Sequence, residues 1–252
     1  MTEPVLRTEA LSKRFGGLAA VSDVALDLRH GEVHAVIGPN GAGKTTLINL
    51  LSGDLAPSSG SILFEGREIA GLAADRIARI GIARSYQRTT VFRDFTAFEN
   101  CRLAAQARLP SSMRFVRPAL SNRGLRDTAL RALSLVGLEA AAERRASTLS
   151  HGEQRQLEIA MTLATAPKVL LLDEPLAGMG AEESRRMVAL IAALAERHAI
   201  LLVEHDMDAV FSIARRLTVM VNGRVLESGT PAAIRESPAV QEAYLGGAEA
   251  RP

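Results

Sequence analysis

The stretch "VHAVIGPNGAGKTTLINLLSG", Val33 to Gly53, decides the fold. It reads as a short buried apolar strand, a glycine-rich loop and then a helix. Inside it "GPNGAGKT", Gly38 to Thr45, fits the pattern G-x-x-x-x-G-K-[ST]. A phosphate group needs many donors at close range. The loop of Gly38, Pro39, Asn40, Gly41, Ala42 and Gly43 can turn backbone N–H groups inward without a Cβ in the way, and the following helix adds its positive end. Lys44 can reach the β and γ phosphates of a nucleotide, and Thr45 can offer a hydroxyl to Mg²⁺. A glycine-rich surface turn would need neither the strand before nor the helix after, so the stretch predicts an α/β phosphate-loop core.

Outward from this loop the pattern stays consistent. "VLRTEALSKRF" and "VSDVALDLRHGEV" before it are strand-like, and "GSILFEGREI" after it reads as strands around a Gly turn. These suggest an antiparallel sheet flanking a parallel core. From about Arg88 to Ala166 the chain turns to Ala, Leu and Arg at helical spacing, broken by a loop at "RPALSNRG" with Pro118, which predicts a helical subdomain inserted into the core. The core resumes with "KVLLLDEP", a helix from about Ala181 to Arg197, "AILLVEH", another helix, and "LTVMVNGRVLESG". Asn222-Gly223 between two apolar runs is a hairpin signal.

Two further stretches carry chemistry. "VLLLDEP" ends an apolar strand in two carboxylates, and the carboxyl ends of parallel strands form the ligand crevice of such a sheet. Asp173 would then emerge beside the phosphate loop, where a metal can be held, with Glu174 one residue further out to orient or deprotonate water. "LSHGEQRQLEIA", Leu149 to Ala160, puts Ser150 three residues before Glu153, the spelling of a capping box. Leu157, Ala160, Met161 and Ala164 then recur at helical spacing.

Composition sets the outer bounds. Of 252 residues 47% are apolar and the formal charge is +2, which describes a globular protein and not a nucleic-acid-coating one. Arginines such as Arg123, Arg126 and Arg131, or Arg144 and Arg145, are expected on solvated helix faces. Cys101 is alone, so an internal disulfide framework is excluded, which suits a reducing cytoplasm. "MTEPVLRTEA" lacks a signal pattern and no apolar run spans a membrane, so any membrane connection is expected through a partner.

Taken in order, Gln87 in "SYQ", "LSHGEQ", "LAGMG" after the acidic strand and His205 in "VEHD" resemble the Q-loop, signature, D-loop and H-loop of an ABC ATPase. The resemblance runs from Leu6 to about Gly247. It implies a single nucleotide-binding domain over 1–252, an α/β phosphate-loop core with an antiparallel β-subdomain and an inserted helical subdomain at 88–166 that bears the signature. It implies ATP and Mg²⁺ as ligands, with Lys44, Thr45 and Thr46 on phosphates and metal, and Gln87 sensing the γ-phosphate and touching the metal. Asp173 would support Mg²⁺, Glu174 would be the general base, His205 would contact the γ-phosphate and Phe15 in "KRFGG" would stack on adenine.

In that family two domains pack head to tail, so Ser150, Gly152 and Glu153 of the signature would close over ATP held by a second ATPase. The commonest signature is Leu-Ser-Gly-Gly-Gln; here His151 and Glu153 stand at its third and fifth positions, and "LAGMG" departs from the usual D-loop. "KRFGGLAAV", "LSHGEQRQLEIAM", "VEHDM" and "GTPAAIRESPAVQEAYLGG" are similar to the ATPases of bacterial branched-chain amino acid importers, the LivG type. That implies two permease partners, indirectly a periplasmic binding protein, no nucleic acid, and a place on the cytoplasmic face of the inner membrane. An envelope lipid exporter ATPase and a soluble ABC ATPase are the alternatives.

Overall fold

A computed structural model describes residues 3–86, 90–107 and 123–245. Two sheets and a group of helices are built around the loop at Gly38. The first strands are β1 (Leu6–Phe15), β2 (Leu18–Leu28), β3 (Val33–Ile37), β4 (Ser59–Phe64), β5 (Arg67–Glu68) and β6 (Ile82–Arg84), with α1 (Lys44–Leu51) and α2 (Ala74–Ile80) between them. Helices α3 (Ala97–Gln106), α4 (Arg123–Leu135) and α5 (His151–Ala164) follow. The chain then runs through β7 (Val169–Asp173), α6 (Ala181–Ala195), β8 (Ala199–Val203), α7 (Met207–Ile213), β9 (Arg216–Val221), β10 (Arg224–Gly229), α8 (Pro231–Glu236) and α9 (Pro238–Leu245).

One sheet is antiparallel, in the order β2-β1-β4-β5; the other has six strands, β10-β9-β3-β8-β7-β6, parallel except for the β9–β10 hairpin. The expected antiparallel sheet beside a parallel core is therefore present. Every residue of β3, β7 and β8 is buried, as strands covered on both faces must be. Their side chains alternate. Leu170, Leu172, Ile200 and Leu202 join the core beneath α3, α4 and α5, whereas Leu171, Leu201 and Val203 join a second core with α1 and the antiparallel sheet. The helix of the phosphate loop is thus held between the two sheets.

The hairpin at Asn222-Gly223 has positive φ at both residues, 49° and 78°, as a type I′ turn requires. Asparagine tolerates that region and glycine is at home in it. Helix α4 begins at Arg123, so Arg123 and Gly124, read as loop in "RPALSNRG", form its first turn, while the rest of that stretch lies outside the described residues. Arg123, Arg126 and Arg131 lie on the exposed face of α4 as expected. Arg144 and Arg145 do not sit on a helix face. They occupy the segment between two short 3₁₀ turns, Glu139–Ala141 and Ala146–Thr148, because its backbone is bound to the start of α3: Arg145 bridges Thr96, and the carbonyl of Arg144 accepts from the N–H of Ala97 at 2.9 Å. Arg144 also pairs with Glu153, 2.9 Å from its Nη1.

A candidate nucleotide site at the carboxyl edge of the sheet

Register brings the functional stretches together. Val203 at the end of β8 pairs with Val36 of β3 on one side and with Asp173 of β7 on the other. The loop after β3, the carboxylates ending β7 and the residues after β8 therefore leave the sheet at one edge, where an open parallel sheet binds its ligand.

The loop's two motif glycines have no alternative. A Cβ on Gly38 would lie 2.1 Å from the carbonyl oxygen of Met220 in β9, and one on Gly43 would lie 2.3 Å from that of Ala20 in β2. Both also have positive φ, 152° and 96°. The backbone is pressed against both sheets, and its turn faces outward at Asn40 and Gly41, both exposed. Lys44 folds back over the loop, with Nζ donating to the carbonyls of Gly38 at 2.6 Å and Pro39 at 3.0 Å. Burial lowers its pKa, and the charges of Glu174 and Asp173 work against that shift. Thr45 is exposed and Thr46 half-buried in the first turn of α1, whose start carries no acidic residue to compete with an anion.

Asp173 is 2% exposed, and burial raises its pKa against the opposing effect of Arg84, whose Nη2 stands 3.0 Å from Oδ2. Glu174 has φ 49°, left-handed for a residue with a long side chain, and its N–H donates to the carbonyl of Val203 at 2.9 Å. Strain of this kind gathers at working sites. His205 is 69% exposed, with Nδ1 3.7 Å from Glu204. Gln87 lies outside the described residues. Phe15, at the end of β1, is 47% exposed, and Lys13 Nζ lies over one face of its ring, 5.2 Å from the centroid.

Ser150 is away from this edge, at the start of α5. It caps the helix as its spelling predicts: Ser150 Oγ accepts from the N–H of Glu153 at 3.2 Å, and Glu153 accepts from the N–H of Ser150 at 2.7 Å. Backbone donation from Ser150, helped by Arg144, holds the Glu153 carboxyl below its usual range. Gly152 is buried against α6, where a Cβ would come within 2.7 Å of Glu183. The two unusual spellings meet here: the His151 ring lies 3.3 Å from where a Cβ on Gly178 would stand, so the bulk at 151 fits over the glycine of "LAGMG".

Comparison with known proteins agrees with this geometry. The model of the ABC transporter family matches residues 21–177. The chain belongs to the ABC transporter family. It is the ATP-binding subunit of such a transporter, an ABC ATPase, and a model of the branched-chain amino acid ATP-binding cassette transporters matches its residues 224–250. This ABC ATPase is 42% identical over 259 residues to the high-affinity branched-chain amino acid transport ATP-binding protein LivG of Escherichia coli strain K12, covering 98% of this chain and 99% of that one. It is 43% identical over 253 residues, with the same coverage, to the corresponding BraF of Pseudomonas aeruginosa. Its fold superposes with a TM-score of 0.87 on an ATP-binding cassette of an ABC transporter in its ADP conformation, at 28% identity, covering 97% of this chain and 100% of that one.

The structure of the ABC ATPase also adds residues that the sequence reading missed. Glu204 is buried, accepts from the N–H of Leu176 at 2.8 Å and of His205 at 3.1 Å, and so ties the segment after Glu174 to the end of β8. Burial raises its pKa, which these donors oppose. Its place in "VEHD" was legible, but only His205 was read from it. Arg84 is the second such residue; a charged side chain in the short buried strand "IAR" was its one signal.

Proposed function

We propose that this ABC ATPase energises a bacterial importer of branched-chain or related hydrophobic amino acids. The observation that carries the hydrolytic part is the register at Val203, which gathers Lys44, Asp173, Glu174 and His205 at one sheet edge. The near full-length similarity to LivG and BraF, together with the match at 224–250, supports the cargo class. In this reading residues 1–252 are one nucleotide-binding domain, and 88–166 is the helical subdomain that bears the signature.

ATP would lie along the loop from Gly38 to Gly43, its β and γ phosphates taking the two hydrogen bonds that Lys44 now gives to loop carbonyls. Phe15 would stack on the adenine. The donor set fits Mg²⁺: a threonine hydroxyl at Thr45 and a carboxylate at Asp173 are what this small cation takes beside phosphate oxygens and water. Among the described residues no three His, Cys, Asp or Glu side chains cluster as metal ligands, and a site shared with phosphates requires none. When bound, Mg²⁺ neutralises charge on the phosphates. Gln87 would meet the metal and sense the γ-phosphate. Glu174 accepts the proton of the attacking water, and its fixed backbone bond to Val203 holds it over the site. His205, exposed at the same edge, donates to the γ-phosphate.

Ser150, the N–H of Gly152 and the turn held by Glu153 would serve the ATP of a second ATPase subunit packed head to tail. Closure of the pair moves two membrane permeases, which receive cargo from a periplasmic binding protein. No helix among the described residues is long and apolar enough to cross a membrane, in keeping with a peripheral place on the cytoplasmic face. Purification of the tagged chain from native membranes, with co-purifying chains identified by mass spectrometry, tests this. Two permeases and a second ATPase are expected; lipid-export components, or recovery without any membrane protein, would overturn the importer reading.

A further inference from the structure

Arg84 is a buried charge that the proposed chemistry does not use. It ends β6, the edge strand of the six-stranded sheet, with its side chain only 8% exposed. Nη2 donates to Oδ2 of Asp173 at 3.0 Å. Nη1 donates to Oδ2 of Asp54 at 2.8 Å and to Oγ of Ser52 at 3.2 Å, and Asn49 Oδ1 accepts from it as well. The guanidinium carbon stands 4.9 Å from the centroid of the Tyr86 ring. Buried Nε has no hydrogen-bond partner among the described residues.

A buried cation must be paired, but one carboxylate would satisfy that need. Arg84 instead spans two elements. Asn49, Ser52 and Asp54 lie in the last turn of α1 or just beyond it, and α1 begins with Lys44, Thr45 and Thr46. Asp173 ends β7. The planar fork of a guanidinium fixes both separation and direction in a way that a lysine on a flexible stem does not. Ser52 reinforces the far anchor by donating to Asp54 at 2.8 Å.

We propose that Arg84 is a positioning residue for the metal site, bridging the far end of the phosphate-loop helix to Asp173 so that this carboxylate stands in place when Mg²⁺ arrives with the nucleotide. The inference rests on the reading of Asp173 as the Mg²⁺-supporting carboxylate. Partners that orient a metal-supporting group characteristically change metal affinity by about 10- to 100-fold when lost.

The test is calorimetric binding of a non-hydrolysable ATP analogue to the full chain, in Mg²⁺ and in EDTA, for the wild type, Arg84→Met, Arg84→Lys and Asp173→Asn. The wild type should bind more tightly in Mg²⁺. Arg84→Met should bind as the wild type does in EDTA yet lose about tenfold of the Mg²⁺ gain, and Arg84→Lys should recover part of it. A full Mg²⁺ gain in Arg84→Met, or equal weakening in both buffers, overturns the proposal. Should Arg84→Met fail to fold, Arg84→Lys decides: a gain reduced severalfold supports the bridge, and a wild-type gain refutes it. Asp173→Asn separates the two readings, because a full gain there overturns the metal assignment itself, whereas loss there beside a full gain in the Arg84 variants overturns only the bridge.

Discussion

Glu174 and His34 are both shaped by the backbone around them, with opposite consequences. Glu174 is forced into the left-handed region, pinned to Val203, and left half-buried at the edge where Lys44 also lies. Glu174→Gln keeps shape and removes basicity. It should bind ATP as the wild type does and lose hydrolysis by about 10²- to 10⁴-fold, the usual range for a general base; phosphate release at wild-type rate would remove Glu174 from that role. His34 in β3 is instead a core group. Its Nδ1 faces the carbonyl of Asp27 at 2.9 Å, so that nitrogen carries the proton and Nε2 accepts from Thr218 at 2.8 Å. Burial lowers its pKa from 6.5 to about 4, aided by Arg216 and opposed by Asp27. Between those values the unfolded chain takes the proton first. The contribution is therefore complete above pH 6.5 and is lost as pH falls toward 4, by about 3 kcal/mol in all. Urea melts of wild type and His34→Gln across pH 7 to 4 should show the wild type falling more steeply, by about that amount; parallel profiles would refute it.

At the scale of elements, the legible parts were those whose physics is local. The loop from Gly38 to Lys44, the apolar runs of β3, β7 and β8, the Asn222-Gly223 turn and the Ser150–Glu153 box each follow from spacing within a few residues. Arg84 and Glu204 were not legible because their partners come from other elements: Asp173 lies 89 residues beyond Arg84, and Leu176 lies 28 before Glu204. Arg144 and Arg145 failed for the same reason, since the backbone that holds them belongs to Thr96 and Ala97 at the start of α3. The capping box gives a prediction at this scale. Ser150→Ala removes the cap and should lower stability by about 1 kcal/mol, a drop of roughly 2–4 °C in Tm for a domain of this size. Ser150→Gly should lose only a few tenths. Thermal melts that rank the two the other way would show that α5 does not depend on its cap.

At the scale of the whole molecule, the proposed function gives Ser150 a second duty that its own domain cannot display. The nucleotide edge is organised by β3, β7 and β8, and the signature turn caps a helix in the other core, beneath which Leu170 and Leu172 lie. In the proposed head-to-tail pair the two meet between chains, so the glycine variant, which costs the helix little stability, isolates the proposed anion-binding role of the hydroxyl. Wild-type chain can be mixed with an excess of Glu174→Gln chain, so that hydrolysis comes only from wild-type sites facing a variant partner. Those sites should stay active when the partner keeps Ser150. Adding Ser150→Gly to the inactive partner should then lower the rate by about 10²- to 10³-fold, the order expected for one donor to a developing oxyanion. If instead the wild-type sites keep their rate beside that partner, while Ser150→Gly placed on the Glu174-bearing chain lowers that chain's own hydrolysis beside a Glu174→Gln partner, the signature acts within its own subunit and the head-to-tail arrangement is wrong for this ATPase.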